Sequence, residues 1–340
     1  YLADRERLTV AQDGNARFSS IQDALDELKP GQVVEVLDRG PYMAHLVCSR
    51  LPPDCGLVSR CGTTIMQPDN VPSSGIGAQQ FRNMDRFRIS GFNWTSPKQG
   101  RFDLLTFNGT SCTFDNNVVY IDEPPSISSE YSRVDLRLLG PASEKGSPSV
   151  VQFNAFKNVK VDVSGTSNAS QTTNFCIVQN MFLSTIQFYP LEKDEAGVST
   201  FHRMEFRDNV VAPTFAFPVM FSLATPGNTR LELLLESNTF FAPNNDRVMV
   251  FVDGDAGEVD IDLTIKRNLI DTEHGITFNA PLFEYLQLSP HRFDGGPNHV
   301  FYTEKWDQTV APGARDDWSK PDFISIDPRD PAFVRLKDLT

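Results

Sequence analysis

Five asparagines stand at the same point of one repeating pattern, and no other feature narrows so far what this chain can fold into. Asn117, Asn180, Asn209, Asn238 and Asn268 each have apolar residues five and three places before them and two places after. The column five before holds Cys112, Phe175, Met204, Leu233 and Leu263. The column three before holds Phe114, Ile177, Phe206, Leu235 and Ile265, and two after come Val119, Phe182, Val211, Phe240 and Ile270. The later intervals are nearly constant (209 − 180 = 29, 238 − 209 = 29, 268 − 238 = 30), while 180 − 117 = 63 leaves room for two units, one of them running through Val151 to Val163.

A fixed period of this length is the mark of a stacked repeat, in which no unit can bury its apolar face alone. Inside a unit the apolar positions lie two apart, as in Val259, Ile261, Leu263 and Ile265, which is the period of a strand and not of a helix. One strand ends at the asparagine and the next begins after it. Asparagine suits such a corner because it tolerates left-handed backbone and its amide can bond its counterparts one rung above and below. The pattern predicts an all-β, right-handed parallel β-helix.

A solenoid grows by adding rungs, so 340 residues need no second core. The expected organisation is one elongated domain over 1–340. It comprises an N-terminal cap and opening over 1–45, rungs over 46–280 and a Pro-rich C-terminal tail over 281–340. Forty-four acidic against 31 basic residues, a net charge of −13, argue against nucleic acid or anionic lipid as partner. No apolar run is long enough to insert in a membrane. The chain opens at Tyr1 and is read as an excised or processed piece, with room beyond it for a signal peptide, an anchor or a partner domain.

Two resemblances refine the reading. The segment from Leu8 to Leu28, then Pro30-Gly31, Val33 to Val36 and Gly40-Pro41-Tyr42, resembles the opening of pectin methylesterases and other pectin-lyase-like β-helices. Ser19 or Ser20 can cap a short helix near 19–28 whose apolar side is Ile21, Ala24, Leu25 and Leu28. Such a helix would close the open end of the solenoid. The chemistry of that family does not follow. Its Gly-x-Tyr-x-Glu segment is here Gly40-Pro41-Tyr42-Met43-Ala44, without the glutamate, and its later catalytic motifs have no counterpart. The motifs of polygalacturonases are also missing. Gly31 to Tyr42 and Gly56 to Arg60 are similar to β-helix regions attached to bacterial serine/threonine protein kinases. That resemblance implies the non-kinase part, since no phosphate loop, His-Arg-Asp or Asp-Phe-Gly segment occurs.

Outward strand residues are where chemistry would sit. Glu205, Glu232, Asp260 and Asp262 invite a reading as a carboxylate cluster for general acid/base work. The competing reading is a ladder of alternating charge: Arg207, Glu236 and Lys266 on successive rungs about 5 Å apart, and Arg203 over Glu232. In either case Arg203 and Arg207 are candidates to touch a ligand. Cys176 and Leu234 in the middle outward column imply that a loop, the tail or a partner covers part of this face.

Asp253, Asp255 and Glu258 lie in a glycine-containing turn that could hold calcium, although the spacing is not that of an EF-hand. His45, Cys48, Cys55 and Cys61 could close a zinc site at irregular spacing; they could equally be buried small residues or include a disulfide. The histidines His45, His202, His274, His291 and His299 belong to no nucleophile motif, and His202 falls on an inward column. Trp94, Trp306 and Trp318 are candidates either to stack on sugar rings or to anchor the tail.

The scaffold is complete and no recognised catalytic set accompanies it. The expected function is therefore a non-catalytic, extracytoplasmic binding or sensing region of a bacterium, recognising a polysaccharide or protein, tethered to a kinase and needing no cofactor. The alternative is a polysaccharide lyase or glycoside hydrolase with an acidic site on the solenoid face.

Overall fold

The computed structural model describes residues 4–68, 79–97, 103–122, 132–141, 147–164, 171–188, 201–213, 219–222, 230–242, 248–251, 260–272, 275–278, 282 and 293–302. The tail beyond Tyr302 and the acidic turn 252–259 lie outside them. The described chain winds as a parallel β-solenoid whose strands fall into three stacks. The first stack runs from Arg7–Val10 through Val33–Val36, Thr113–Asp115, Phe201–Arg207 and Arg230–Glu236 to Asp260–Lys266 and Phe293–Gly295. The second runs from Tyr42–Met43 through Val118–Tyr120, Val210–Val211 and Thr239–Ala242 to His299–Tyr302. The third runs from Val47–Ser49 through Gln79–Asp85, Asp103–Thr110 and Ser132–Pro141 to Val219–Ser222, Val248–Phe251 and Ile276–Phe278. Pairing is parallel except where 139–141 meet 171–173.

The corner from the first to the second stack carries the asparagines, and among the described residues there are seven. Asn117, Asn154, Asn180, Asn209, Asn238, Asn268 and Asn298 are all buried, in steps of 37, 26, 29, 29, 30 and 30 residues. Each Oδ1 from Asn154 onward accepts both the backbone N–H and the Nδ2 of the asparagine one rung earlier; for Asn180 on Asn209 the distances are 2.9 and 3.0 Å. Each Nδ2 also donates to a carbonyl of the preceding rung, as Asn209 does to Ile177 at 2.9 Å. A side-chain amide thus has its donors and acceptor satisfied inside the core, the condition under which a buried polar group is tolerated.

At six of these corners the left-handed residue is not the asparagine but the one before it; ahead of Asn298, where Pro297 intervenes, it is Gly296 at φ 86°. Asn116, Phe153, Gln179, Asp208, Ser237 and Arg267 all have φ of 56–57°. That position faces outward, so its identity is free. The inward position needs an amide and is therefore constant. One rung before Asn117, Gly91 takes the left-handed place at φ +87°, where a Cβ would fall 2.0 Å from the Ser59 carbonyl. Phe92 follows it, and Asn117 Oδ1 accepts from the Phe92 N–H at 3.1 Å and from Trp94 Nε1 at 3.3 Å. The indole N–H begins the ladder where an asparagine would otherwise stand.

Around this ladder the core is one continuous column of apolar side chains from Leu8 to Val300. Phenylalanines stack along it: Phe156 on Phe182 at 5.0 Å between ring centroids and 3° between planes, Phe188 on Phe221 at 4.5 Å and 12°. Such contacts add ~0.5–1.5 kcal/mol each beyond burial. The helix Ile21–Asp26 is six residues long, with Ser20 Oγ accepting from the Asp23 N–H. It stops short of residue 28, where the Leu28 N–H turns back to the Leu25 carbonyl ahead of Pro30. Ile21, Ala24, Leu25 and Leu28 all enter the core.

Three outcomes follow from these contacts. Asn209→Ala strips the Asn180 N–H and Nδ2 of their acceptor and the Ile177 carbonyl of a donor, so a loss of roughly 3 kcal/mol or more is expected in urea unfolding. Phe153→Asn should raise stability by about 1 kcal/mol, because asparagine accepts the left-handed corner that an aromatic side chain resists. His202 is fully buried and its pKa is lowered to about 4 by desolvation. Between the unfolded value near 6.5 and about 4, the unfolded chain takes up a proton that the native chain refuses, so stability falls as pH falls. Compared between pH 7 and pH 4.5, His202→Leu should lose roughly 2.5 kcal/mol less than the parent chain.

Candidate functional site

On the outward side of the first stack, Arg203, Glu232 and Asp262 lie in register, as do Arg207, Glu236 and Lys266. Glu205 sits between Arg203 at 2.7 Å and Arg207 at 3.1 Å. Glu232 is held by Arg230 at 2.8 Å, with Arg203 at 4.0 Å, and Arg230 also reaches Asp262 at 3.5 Å. Lys266 bridges Glu236 at 3.7 Å and Asp294 at 3.6 Å, and Arg267 reaches Glu236 as well. Asp260 pairs with Arg230 along the strand register. Cations thus stand beside Glu205, Glu232 and Asp262, and the arginines are drawn into these pairs. On a surface this open each pair contributes ~0–1 kcal/mol.

The remaining sequence candidates separate. Trp94 is fully buried with its N–H on the asparagine ladder, so it has no free face for a sugar. Trp306, Trp318, Asp253, Asp255 and Glu258, with His274 and His291, lie outside the described residues. All five cysteines are free thiols. Cys48 is buried in the core, and desolvation pushes its pKa up to about 12. Cys55 Sγ lies 3.1 Å from the Lys29 carbonyl and Cys61 Sγ 3.0 Å from that of Asp38. These thiols do not converge with His45. Among the described residues no three His, Cys, Asp or Glu side chains are placed to share a metal ion.

The third stack carries a group that the sequence pattern did not point to. Its outward positions alternate with the inward Phe81, Phe107, Val134, Val161 and Ile186. In register from rung to rung they form one row: Gln80, Thr106, Asp135, Asp162 and Gln187. Two further outward rows flank it. Arg133 stands beside Lys160 and Lys160 beside Thr185 on one side; Asn108, Arg137 and Ser164 are in register on the other. Asp135 and Asp162 are direct neighbours across two strands, whose backbones lie about 4.8 Å apart.

Their surroundings differ. Asp162 is buried with Arg133 Nε at 2.6 Å and Lys160 Nζ at 3.2 Å; the arginine contact is short but poorly aligned, so it acts through charge more than as a hydrogen bond. Burial pushes the Asp135 carboxyl above its ordinary range; Arg133 and Arg137 pull it down, and Asp162 and Asp103 add to the rise. Two adjacent carboxyl groups in unlike environments, among cations and amides, can share a proton or bind a group that both donates and accepts hydrogen bonds. Asp162, Gln187 and Gln80 face outward and are nonetheless buried.

No helix among the described residues is long and apolar enough to cross a membrane. Compared with protein-family models, with curated proteins and with solved structures, the chain gives no match, so the site stands on its own residues.

Proposed function

We propose that this chain is a non-catalytic binding region that takes an extended, hydroxyl-rich polymer, a polysaccharide, along the outward face of the third stack. The observation that carries this reading is the polar grid around Asp135 and Asp162, in register over successive rungs and partly buried. Sugar hydroxyls donate and accept in turn, and a grid interleaving carboxylates, guanidinium groups and amides offers both partners at the spacing of the strands. The first stack supports it from the other side, because its carboxylates are engaged with cations of the same ladder. Within the same proposal, the coil is right-handed, as parallel crossover connections nearly always are. The helix Ile21–Asp26 closes its first rung, and the region faces the outside of a bacterial cell, tethered to a kinase. The segments Gly31 to Tyr42 and Gly56 to Arg60 support that placement by their resemblance.

The second reading, a glycoside hydrolase or polysaccharide lyase, has one observation in its favour. The raised Asp135 carboxyl beside Asp162 is the kind of pair that divides into acid and base. Titration of the purified chain with neutral and acidic polysaccharides, following heat of binding together with new reducing ends and unsaturated products, separates the two. Saturable binding without product is expected, weakened about tenfold or more by Gln187→Ala or Asp135→Asn and unchanged by Glu232→Gln on the first stack. Product that disappears in Asp135→Asn would establish the enzyme instead. Folded protein that neither binds nor turns over any polysaccharide sinks both.

A further inference from the structure

Phe153 departs twice from what its place in the fold requires. It is the left-handed residue of its corner, at φ 57°, a backbone region that a bulky side chain enters only at a cost. It is also 51% exposed, the one aromatic side chain that stands exposed among the described residues. Burial in the core therefore does not offset the strain. On the other rungs the same place is filled by Asn116, Gln179, Asp208, Ser237 and Arg267. All are polar, so the corner itself needs no aromatic ring. A strained residue whose cost the core does not offset points to a side chain fixed by function and not by folding.

The neighbours of Phe153 indicate the kind of ligand. The Asn116 N–H donates to the Gln152 carbonyl at 3.2 Å and the Phe153 N–H to the Gln179 carbonyl at 3.2 Å. Asn116 and Gln179 thus occupy the matching corner places one rung to either side. Gln152 precedes Phe153 in the chain and is in register with Asp115 and Val178. Three of these neighbours carry uncharged amides. Asn116 gives its Nδ2 to Asp115 at 2.8 Å, so its Oδ1 remains to accept from a ligand; Gln179 is exposed and Gln152 half-buried. Asp115, the charged residue beside them, is buried and held by Arg88 at 2.9 Å.

An exposed phenyl ring among neutral amides matches the chemistry of a hexopyranose. The C–H groups on one face of the sugar carry slight positive charge and lie against the negative face of the aromatic ring. Hydroxyls around the sugar both donate to and accept from amides. A protein partner is served less well, because a stable interface covers about 800 Å² on each side. The other exposed large apolar side chain at this corner is Val118, on the rung before, at 39%.

We infer that Phe153, with Asn116, Gln152 and Gln179, forms a stacking site for one ring of a neutral glycan at the corner between the first and second stacks. This corner does not adjoin the third stack, so the site does not rest on what that stack binds.

The test places 4-fluorophenylalanine at position 153 of the full chain and follows its fluorine resonance during titration with cellohexaose, mannohexaose and maltohexaose. A saturable shift with at least one of them is expected, and Gln179→Ala should weaken that affinity severalfold. A resonance that none of the three moves overturns the inference, even where heat of binding shows the sugar held elsewhere. A shift that follows protein concentration without sugar also overturns it and makes a second copy the occupant. Substitutions give an independent reading by heat of binding, in a chain carrying Gln187→Ala to weaken the third stack. Phe153→Trp keeps an aromatic face and should bind the sugar as well as Phe153 does. Phe153→Asn should raise the urea midpoint and yet weaken binding about tenfold or more. A stabilised Phe153→Asn chain that binds undiminished overturns the inference.

Discussion

Everything in this fold depends on one buried hydrogen-bonded column, the ladder of asparagine amides at the first corner. A parallel solenoid must hold its rungs at one spacing and in one register, and strand pairing alone does not fix where each corner falls. The amide does. Its Oδ1 takes two donors from the rung before, and its Nδ2 returns a bond to a carbonyl of that rung. A corner displaced by one residue would leave these groups unsatisfied in the core, at ~1–3 kcal/mol for each. The period-2 alternation would also turn every side chain of the following strand to the wrong face. The stacked phenylalanines then fill a cross-section already set.

The ladder was legible in the sequence wherever three flanking columns stayed apolar, and invisible where one did not. Asn154 has Ser149 five places before it, a buried hydroxyl that the core accepts because it takes the Cys112 N–H at 3.1 Å. Asn298 has Gly295 three places before it. The head of the ladder replaces an asparagine by the Trp94 indole, which reads as a surface aromatic until its N–H is seen on Asn117. The left-handed residue was assigned one place too late for a physical reason. The pattern marks the position where identity is constrained, and an outward corner residue is constrained only in its backbone.

The functional face was less legible because the period is anchored at the wrong corner for it. Columns counted from the asparagine remain in step through the first and second stacks, which adjoin that corner directly. The third stack is reached across connections of unequal length, so Asp135, Asp162 and Gln187 share no constant offset from any asparagine. Their alignment exists only in the strand register. The charged residues of the first stack drew attention because they were countable. Their geometry is that of solvated ion pairs between neighbouring rungs.

Stacking identical units forces chemistry into rows, and the three rows here are of different kinds. Charges that alternate on the first stack neutralise one another along the axis while keeping an exposed sheet soluble. The second stack sets a small apolar cluster of Leu183, Val210, Ala212, Phe241 and Leu269 beside Lys157 and Asp271. The third mixes carboxyl, guanidinium, ammonium and amide groups and buries Gln80, Asp162 and Gln187, and buried polar side chains are costly unless they meet partners. A protein needing only a spacer could repeat the first row on every face. Burying Asp162 between Arg133 and Lys160, with Asp135 held towards its neutral form beside it, is a local expense that the ladder supports and the fold itself does not require. Such an expense is intelligible at a site that meets a ligand, and that is why the third stack, rather than the more conspicuous charges of the first, carries the functional reading.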